Sequence, residues 1–199
     1  MDTQNTVRKG EGPAIPAKQI LTKGHGDAWF GHDYNMNLYR GCHHGCIYCD
    51  SRSDCYQIQD FDLVRPKENA LAILEGEMGR KRRRGVIGMG AMTDPYNRVE
   101  GRIKLTRGAL ALARRFGYGV SFATKSALFA RDLDELAGIA QSGSVLIKIS
   151  FSTVEDDLAR LVEPVVSSPT ARLKAMAEAS KAGLFVGALL MPVLPMITD

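Results

Sequence analysis

The chain has 199 residues, 45% of them hydrophobic and 24% charged, with a formal net charge of +4. This length is sufficient for one domain with a sizeable core. The weak basic excess is compatible with a phosphorylated or nucleic-acid partner but does not indicate one. No apolar run is long enough to cross a membrane and the first residues lack the apolar stretch of a secretory signal, so we expect a cytoplasmic protein. In that reducing compartment, clustered cysteines usually serve metal binding or catalysis.

Strand and helix patterns alternate along most of the chain. In chain order, the predicted elements are a strand near 35–39, a helix at 66–83, a strand at 86–91, a helix at 105–116, a strand at 119–125, a helix at 131–141, a strand at 145–152, helices at 155–162 and 169–182, and a strand at 184–193. Apolar strands that alternate with amphipathic helices predict βαβ units and a mainly parallel sheet covered by helices.

The two ends of the chain do not fit this alternation. Residues 1–33 are rich in Gly, Pro and charged residues, and we interpret them as an N-terminal tail. The chain stops shortly after the fifth predicted strand, so a closed barrel cannot form from these elements. We therefore expect a core domain at 34–199 that is incomplete at its C-terminal end.

All four cysteines lie in the segment RGCHHGCIYCDSRSDC, residues 40–55. Cys42, Cys46 and Cys49 have the spacing Cys-x3-Cys-x2-Cys, and the glycines among them allow the tight backbone bends that would turn three sulfurs inward. Cys55 is expected to pack as a small buried residue. We expect His43 and His44 to lie on the loop surface or near the cysteines rather than to be ligands.

Three kinds of chemistry compete for this loop. A structural zinc site needs four ligands, and no second pair of ligands follows downstream. A redox pair of Cys46 and Cys49 would leave Cys42 without a purpose. An iron–sulfur cluster uses thiolates, and three of them would leave one iron free to bind another ligand. The spacing favours the cluster but leaves a zinc-binding, nucleic-acid-associated module as an alternative.

Five sequence segments resemble one enzyme family. They are, in order, NLYRGCHHGCIYCDSRS, GAMTDPYN, FATKSALFARDLD, KISFSTVEDDLARLVEPVVSSP and LLMPVLP. Together they resemble the radical SAM superfamily, and within it the branch related to spore photoproduct lyase, whose members are often described as DNA-repair photolyase-like. The resemblance implies an α/β fold, a partial (β/α)6 TIM-like barrel, here apparently truncated after the fifth strand.

The resemblance also implies cofactors and a reaction. Cys42, Cys46 and Cys49 would bind a [4Fe–4S] cluster, and S-adenosyl-L-methionine would chelate the open iron. A reductant such as ferredoxin or flavodoxin would supply the electron that cleaves S-adenosylmethionine to methionine and a 5′-deoxyadenosyl radical. The chain would then be a lyase-like or other radical enzyme whose substrate the sequence does not identify. A scaffold that holds a cluster without chemistry is the remaining alternative.

Further residues match positions that contact S-adenosylmethionine in the family. Tyr48 would lie against the adenine, and Lys125 would pair with the methionine carboxylate. The remaining matches lie at the end of the second predicted strand, in the turn that follows it and at two serines of the fourth strand, namely Gly90, Ala91, Met92, Thr93, Asp94, Ser150 and Ser152. Glu163 and Arg172 also match family positions, and we expect them to form an ion pair.

One departure from the family concerns the hydrogen donor. Spore photoproduct lyase has a cysteine just before a Ser/Thr-Asp pair, and this cysteine donates a hydrogen to the product radical. Ala91 and Met92 occupy that place here, and neither side chain is a useful donor. The resemblance therefore does not extend to the photoproduct reaction by that route.

The basic run RKRRRG at 80–85 suggests nucleic acid at first sight. Cations at the C-terminal end of a helix also stabilise the helix dipole, which is the simpler explanation.

Overall fold

The computed structural model describes residues 10–24 and 31–198. The strands, in chain order, are β1 (Leu21–Lys23), β2 (Tyr34–Met36), β3 (Tyr39–Arg40), β4 (Arg65–Pro66), β5 (Val86–Met89), β6 (Gly119–Thr124), β7 (Val145–Phe151) and β8 (Val186–Leu190). The α-helices are α1 (Ala70–Arg80), α2 (Glu100–Ile103), α3 (Leu105–Phe116), α4 (Leu133–Ala140), α5 (Asp156–Val162) and α6 (Pro169–Lys181). Short 3₁₀ turns occupy Asp50–Arg52, Asp54–Tyr56 and Ala127–Asp132.

Six of the strands form one sheet in the order β1-β2-β5-β6-β7-β8. Neighbouring strands of this sheet pair in parallel in the order β2, β5, β6, β7 and β8. β1 pairs with β2 in the antiparallel direction. β3 and β4 form a separate antiparallel pair. The predicted α/β architecture with a mainly parallel sheet, part of a (β/α)6 barrel, is confirmed. All five parallel strands end at the same edge of the sheet, where ligands bind in α/β folds.

The core forms where the helices cover the sheet. The buried residues of α3, Thr106, Ala109, Leu110 and Ala113, recur at the three- and four-residue spacing of one helix face. Strand β6 is buried along nearly its whole length, as expected for a central parallel strand. Helix α6 starts at Pro169, where proline is favoured, and the Ser168 side chain accepts a hydrogen bond from the Ala171 N–H.

Part of the predicted N-terminal tail is folded, which corrects that interpretation. β1 pairs with β2, with Leu21 opposite Met36, and Ile20 and Leu21 are buried. The Glu77 carboxylate of α1 accepts hydrogen bonds from the N–H groups of both Ile20 and Leu21. A three-residue strand has too few positions to show periodicity, and the Glu77 carboxylate that stabilises it lies 56 positions from Leu21. The remaining tail residues 1–9 and 25–30 lie outside the described part of the chain.

The observed bounds of two elements differ from the predicted ones, each for a local reason. The first parallel strand is Tyr34–Met36, because the chain leaves the sheet there and continues into β3. The helix predicted from residue 66 begins at Ala70, because Pro66 belongs to β4 and Asn69 adopts a left-handed conformation (φ 52°). Within residues 10–24 and 31–198, no helix is long and apolar enough to cross a membrane.

Candidate functional site

The cysteine loop runs between β3 and β4 and bends back over the sheet edge. Gly41 has φ +81°, and a Cβ there would lie 2.3 Å from the Leu63 carbonyl oxygen, so the bend requires glycine. The Cys42 N–H donates a hydrogen bond of 2.8 Å to the Phe61 carbonyl. Cys42 and Cys46 are buried, Cys49 is half-buried, and all three line one cavity of about 150 Å³.

The buried thiols are poorly solvated. Burial is the main cause that raises the pKa of Cys42 to about 12 and that of Cys46 to about 11. Both thiols are therefore protonated at neutral pH, and iron binding would release their protons. Among the described residues, no three His, Cys, Asp or Glu side chains are grouped tightly enough to hold a single metal ion. Three cysteines around one cavity fit a cluster, in which each thiolate would bind a different iron.

The opposite wall of this cavity comes from the carboxyl ends of three parallel strands. Gly90 to Met92 and Asp94 follow β5, Thr124 ends β6 and Lys125 follows it, and Ser150 lies near the end of β7. Gly90 has φ +94°, and a Cβ there would lie only 2.3 Å from the carbonyl oxygen of Ala123. The turn after β5 therefore packs backbone to backbone against β6 where the cavity opens.

Gly90→Ala is expected to destabilise the protein by about 2 kcal/mol or more, because the new methyl group strains the backbone and meets the Ala123 carbonyl. Urea denaturation measures this change. Gly76→Ala is the matched control, since a Cβ at Gly76 in α1 meets nothing within 4 Å. The control should leave stability unchanged or raise it by up to about 1 kcal/mol. Equal stability of the two variants would show that the close approach at Gly90 is not required.

Asp94 holds the turn after β5 against the end of β6. Its carboxylate accepts hydrogen bonds from the Tyr96 N–H (2.8 Å), the Thr124 hydroxyl (2.7 Å) and the Lys125 N–H (2.8 Å). His44 Nδ1 lies 3.5 Å from the same carboxylate, and burial is the main cause that lowers the pKa of His44. These contacts make Asp94 a residue that fixes the backbone around Lys125.

Tyr48 is held by a buried ion pair behind the cavity. The Tyr48 hydroxyl and the Ser152 hydroxyl both donate to Glu163 Oε1, the latter at 3.0 Å. Glu163 Oε2 pairs with the guanidinium of Arg172, and both residues are almost fully buried, which confirms the expected pair. The Lys125 ammonium lies 5.6 Å from the centre of the Tyr48 ring. Tyr48 is thus fixed in orientation on one side and faces a cation on the other.

The end of α5 and the loop that follows it, which carries Glu163, also bind the backbone of the cysteine loop. The Ile47 N–H donates to the Val162 carbonyl (3.0 Å), and the Val165 N–H donates to the His44 carbonyl (3.1 Å). The cysteine loop is therefore attached to the region around Glu163 at three points, counting the Tyr48 hydroxyl.

The structure brings most of the predicted site residues together. Those that line the cysteine cavity are Cys42, Cys46, Cys49, Gly90, Ala91, Met92, Asp94, Lys125 and Ser150. Tyr48 and Ser152 lie behind it at Glu163, and Thr93 lines a neighbouring cavity. Sequence reasoning missed Arg52, Phe61 and Thr124, which also line the cavity. Arg52 and Thr124 lie inside the resembling segments, whereas nothing in the sequence indicates Phe61.

The expectation for Cys55 is wrong. Cys55 is exposed, and its sulfur lies 2.8 Å from the Ser53 hydroxyl in the short turn Asp54–Tyr56. None of the three residues of this turn is buried, so no part of the core covers the cysteine. His44 is buried and lines the cavity, and His43 packs against Gly10.

The basic run lies at the other end of the sheet. It connects the C-terminus of α1 with the start of β5, whereas the cavity lies at the carboxyl end of β5. Arg84 donates to the Met78 carbonyl in the last turn of α1 (3.2 Å), and its guanidinium lies 5.4 Å from the centre of the Tyr118 ring. These contacts agree with the helix-end explanation of the run.

Known proteins resemble the chain in sequence. Residues 36–199 match the Radical SAM superfamily. An uncharacterized protein of Mycobacterium tuberculosis is 36% identical over 192 residues, which are 93% of this chain and 56% of that protein. An uncharacterized protein of Methanocaldococcus jannaschii is 28% identical over 172 residues, 85% of this chain and 63% of that protein. The chain thus spans little more than half the length of the first of these relatives.

Solved structures resemble the chain in fold. Spore photoproduct lyase complexed with dinucleoside spore photoproduct superposes with a TM-score of 0.64 at 18% identity, covering 92% of this chain and 51% of that one. Native anSMEcpe with bound AdoMet gives a TM-score of 0.51 at 12% identity, over 77% of this chain and 42% of that one. With a family match over most of its length, the chain belongs to the radical SAM superfamily.

Proposed function

We propose that the chain binds a [4Fe–4S] cluster and S-adenosylmethionine and cleaves the latter reductively. Membership of the superfamily implies these two cofactors. The observation that carries the proposal is the shared cavity: Cys42, Cys46 and Cys49 face the carboxyl-end residues of β5, β6 and β7 across it. When bound, the reduced cluster would supply the electron that breaks a carbon–sulfur bond of S-adenosylmethionine and yields a 5′-deoxyadenosyl radical.

The residues of the chain would bind and orient the cofactor. Cys42, Cys46 and Cys49 would be the cluster ligands. Lys125 would pair with the methionine carboxylate, because its ammonium group is a cation at the ligand edge of the sheet. The backbone at Gly90 to Met92 would present carbonyl oxygens to the amino group, and Ser150 would add a polar contact.

Tyr48 would contact the adenine, and Asp94 would act indirectly, through the backbone of Lys125. Tyr48 would offer a flat ring to the adenine, with its orientation set by Glu163. Asp94 would keep the Lys125 backbone in place through its hydrogen bonds. In this proposal Ser152 supports Tyr48 through Glu163, and Thr93 faces the neighbouring cavity.

The wider setting of the reaction is part of the same proposal. The reductant would be a small electron carrier such as ferredoxin or flavodoxin, in a reducing cytoplasm that keeps the exposed Cys55 thiol free. In this proposal the core domain is 34–199, with β1 attached to it. A nucleic-acid substrate would have to approach the carboxyl edge of the sheet, away from the basic run.

Anaerobic reconstitution with iron and sulfide tests the proposal. The chain should take up about one cluster and become brown, and after reduction it should form 5′-deoxyadenosine from S-adenosylmethionine. A colourless chain that retains zinc would instead identify the zinc-binding module. A brown chain that forms no 5′-deoxyadenosine would identify a scaffold without chemistry.

Lys125→Met is expected to weaken S-adenosylmethionine binding by about 10- to 100-fold, since hydrogen bonds to charged groups contribute about 1.5–3 kcal/mol. The cluster content should stay at the wild-type level, because Lys125 is not a ligand. Equilibrium binding to the reconstituted protein measures the affinity. Lys181→Met at the exposed end of α6 is the control and should bind normally. Wild-type affinity in Lys125→Met would exclude the carboxylate contact.

A further inference from the structure

A second and larger cavity lies beside the cysteine cavity. Its volume is about 410 Å³, within the range of about 300–1,000 Å³ that is usual for small-molecule sites. The segment 15–19, the residues that follow β2 and β5, and the end of the cysteine loop form its walls. Met92 lines both cavities, so a ligand in the second would lie one side chain away from the first. Methionine is flexible and can move to open such a boundary.

The lining of this cavity is basic. Lys18, Arg40 and Lys67 contribute three cations, and none of the described residues that line it is acidic. Lys67 is half-buried, and its pKa is lowered mainly by desolvation, with a further contribution from the Arg40 charge. Two cations that face one cavity repel each other, and an anion placed between them would relieve that repulsion.

Glu77 is the carboxylate that acts on Lys67 in the opposite direction. Its charge raises the pKa of Lys67, but it lies outside the cavity lining. One of its oxygens accepts the N–H groups of Ile20 and Leu21, at 3.1 and 2.8 Å. Glu77 thus stabilises the wall and leaves the cavity face of Lys67 available to a ligand.

Hydrogen bonds fix the walls in place. The Ile15 N–H donates to the Pro66 carbonyl and the Glu68 N–H donates to the Ile15 carbonyl, each at 2.9 Å. The Lys67 N–H donates to the Leu38 carbonyl at 3.0 Å. These bonds hold Lys67 between the N-terminal segment and the segment after β2, so the backbone that carries its ammonium group is fixed before any ligand arrives.

The aromatic side of the cavity is also fixed. Arg40 Nη2 donates to the Gln57 carbonyl (3.2 Å), and the Tyr56 hydroxyl donates to Asp50 (2.8 Å). Tyr56 lines the same cavity as the cations, and its ring offers a flat surface to the organic part of a ligand.

We infer that this cavity is the substrate site and that it takes a small phosphate ester. The phosphate lies between Arg40 and Lys67, and the organic part extends past Tyr56 towards Met92 and the cofactor cavity. Arginine and lysine together suit a phosphate, which has several acceptor oxygens and up to two negative charges. Its identification as the substrate site rests on the proposed function, whereas the anion site itself does not.

Inorganic pyrophosphate is the probe, titrated calorimetrically into the reconstituted full chain with S-adenosylmethionine present to fill the first cavity. One pyrophosphate should bind per chain, and Lys67→Gln and Arg40→Gln should each weaken binding about tenfold. Lys174→Gln, which removes an exposed lysine of α6, should bind as the wild type does. Circular dichroism and thermal melting verify that each variant is folded.

Three results would overturn the inference. They are no pyrophosphate binding at millimolar concentration, binding that Lys67→Gln and Arg40→Gln leave unchanged, and equal binding of citrate, which would make the site one for anions in general. Two separate measurements distinguish failure of this inference from failure of the proposed function. If 5′-deoxyadenosine forms but pyrophosphate does not bind, only the inference fails. If pyrophosphate binds with the expected dependence but no 5′-deoxyadenosine forms, the anion site stands and the radical function fails.

Discussion

Cys46→Ala is expected to abolish both the bound cluster and the formation of 5′-deoxyadenosine. Cys46 is the central cysteine of the three and is buried in the cavity wall. A cluster held by two remaining thiolates loses one of its three anchors, and alanine offers no replacement donor. Iron and sulfide content, the visible absorbance of the cluster and the 5′-deoxyadenosine product measure the outcome after anaerobic reconstitution.

Cys55→Ala is the matched control for this loss. Cys55 belongs to the same loop, but it is exposed and lies outside the cavity lining. The control should keep its full iron content and form product at the wild-type rate. Loss of the cluster in Cys55→Ala with retention in Cys46→Ala would reassign the third ligand. Product formation by Cys46→Ala would overturn the proposed ligand set.

The sequence predicted the elements that repeat a pattern over many residues. Helix α3 has four buried positions on one face, and its observed bounds coincide with the prediction at 105–116. Strand β1 was missed because three residues show no period and because its stabilising carboxylate, Glu77, lies more than 50 positions away. Local patterning specifies an element only where the element is long enough to have a pattern.

The same distinction applies to the candidate site. The cysteines and Lys125 lie in compact motifs, so their types and spacing could be interpreted before the fold was known. The contact of Phe61 with the cavity depends on how the chain returns after the cysteine loop. The second cavity combines Lys18, Arg40 and Lys67, which only the folded backbone brings together. No sequence window contains all three with a meaningful spacing.

The buried ion pair of Arg172 and Glu163 explains how α6, which is remote from the cysteines in sequence, affects the site. Arg172 lies on α6, yet its guanidinium donates to the Ser150 carbonyl (2.6 Å) and the Ser167 carbonyl (2.7 Å) as well as to Glu163. Ser150 lines the cysteine cavity, and Glu163 orients Tyr48. One buried cation thus connects the end of β7, the loop before α6 and the cysteine loop.

Arg172→Met is therefore expected to lower the free energy of unfolding by about 3–5 kcal/mol, because it leaves the Glu163 carboxylate buried without its partner. Chemical denaturation measures the loss. Arg160→Met is the control: its pair with Asp157 is exposed on α5, so its removal should change stability by no more than about 1 kcal/mol.

The double variant Glu163→Gln with Arg172→Met separates the pair from its surroundings. Glutamine keeps an oxygen that can accept from Tyr48 and Ser152 but carries no charge, so the double variant should recover part of the stability lost in Arg172→Met. Recovery would assign the loss to an unpaired charge. If the double variant is as unstable as Arg172→Met, the loss comes instead from the Ser150 and Ser167 carbonyls that the guanidinium no longer satisfies. If Arg172→Met is no less stable than Arg160→Met, this pair does not hold the cysteine loop in place.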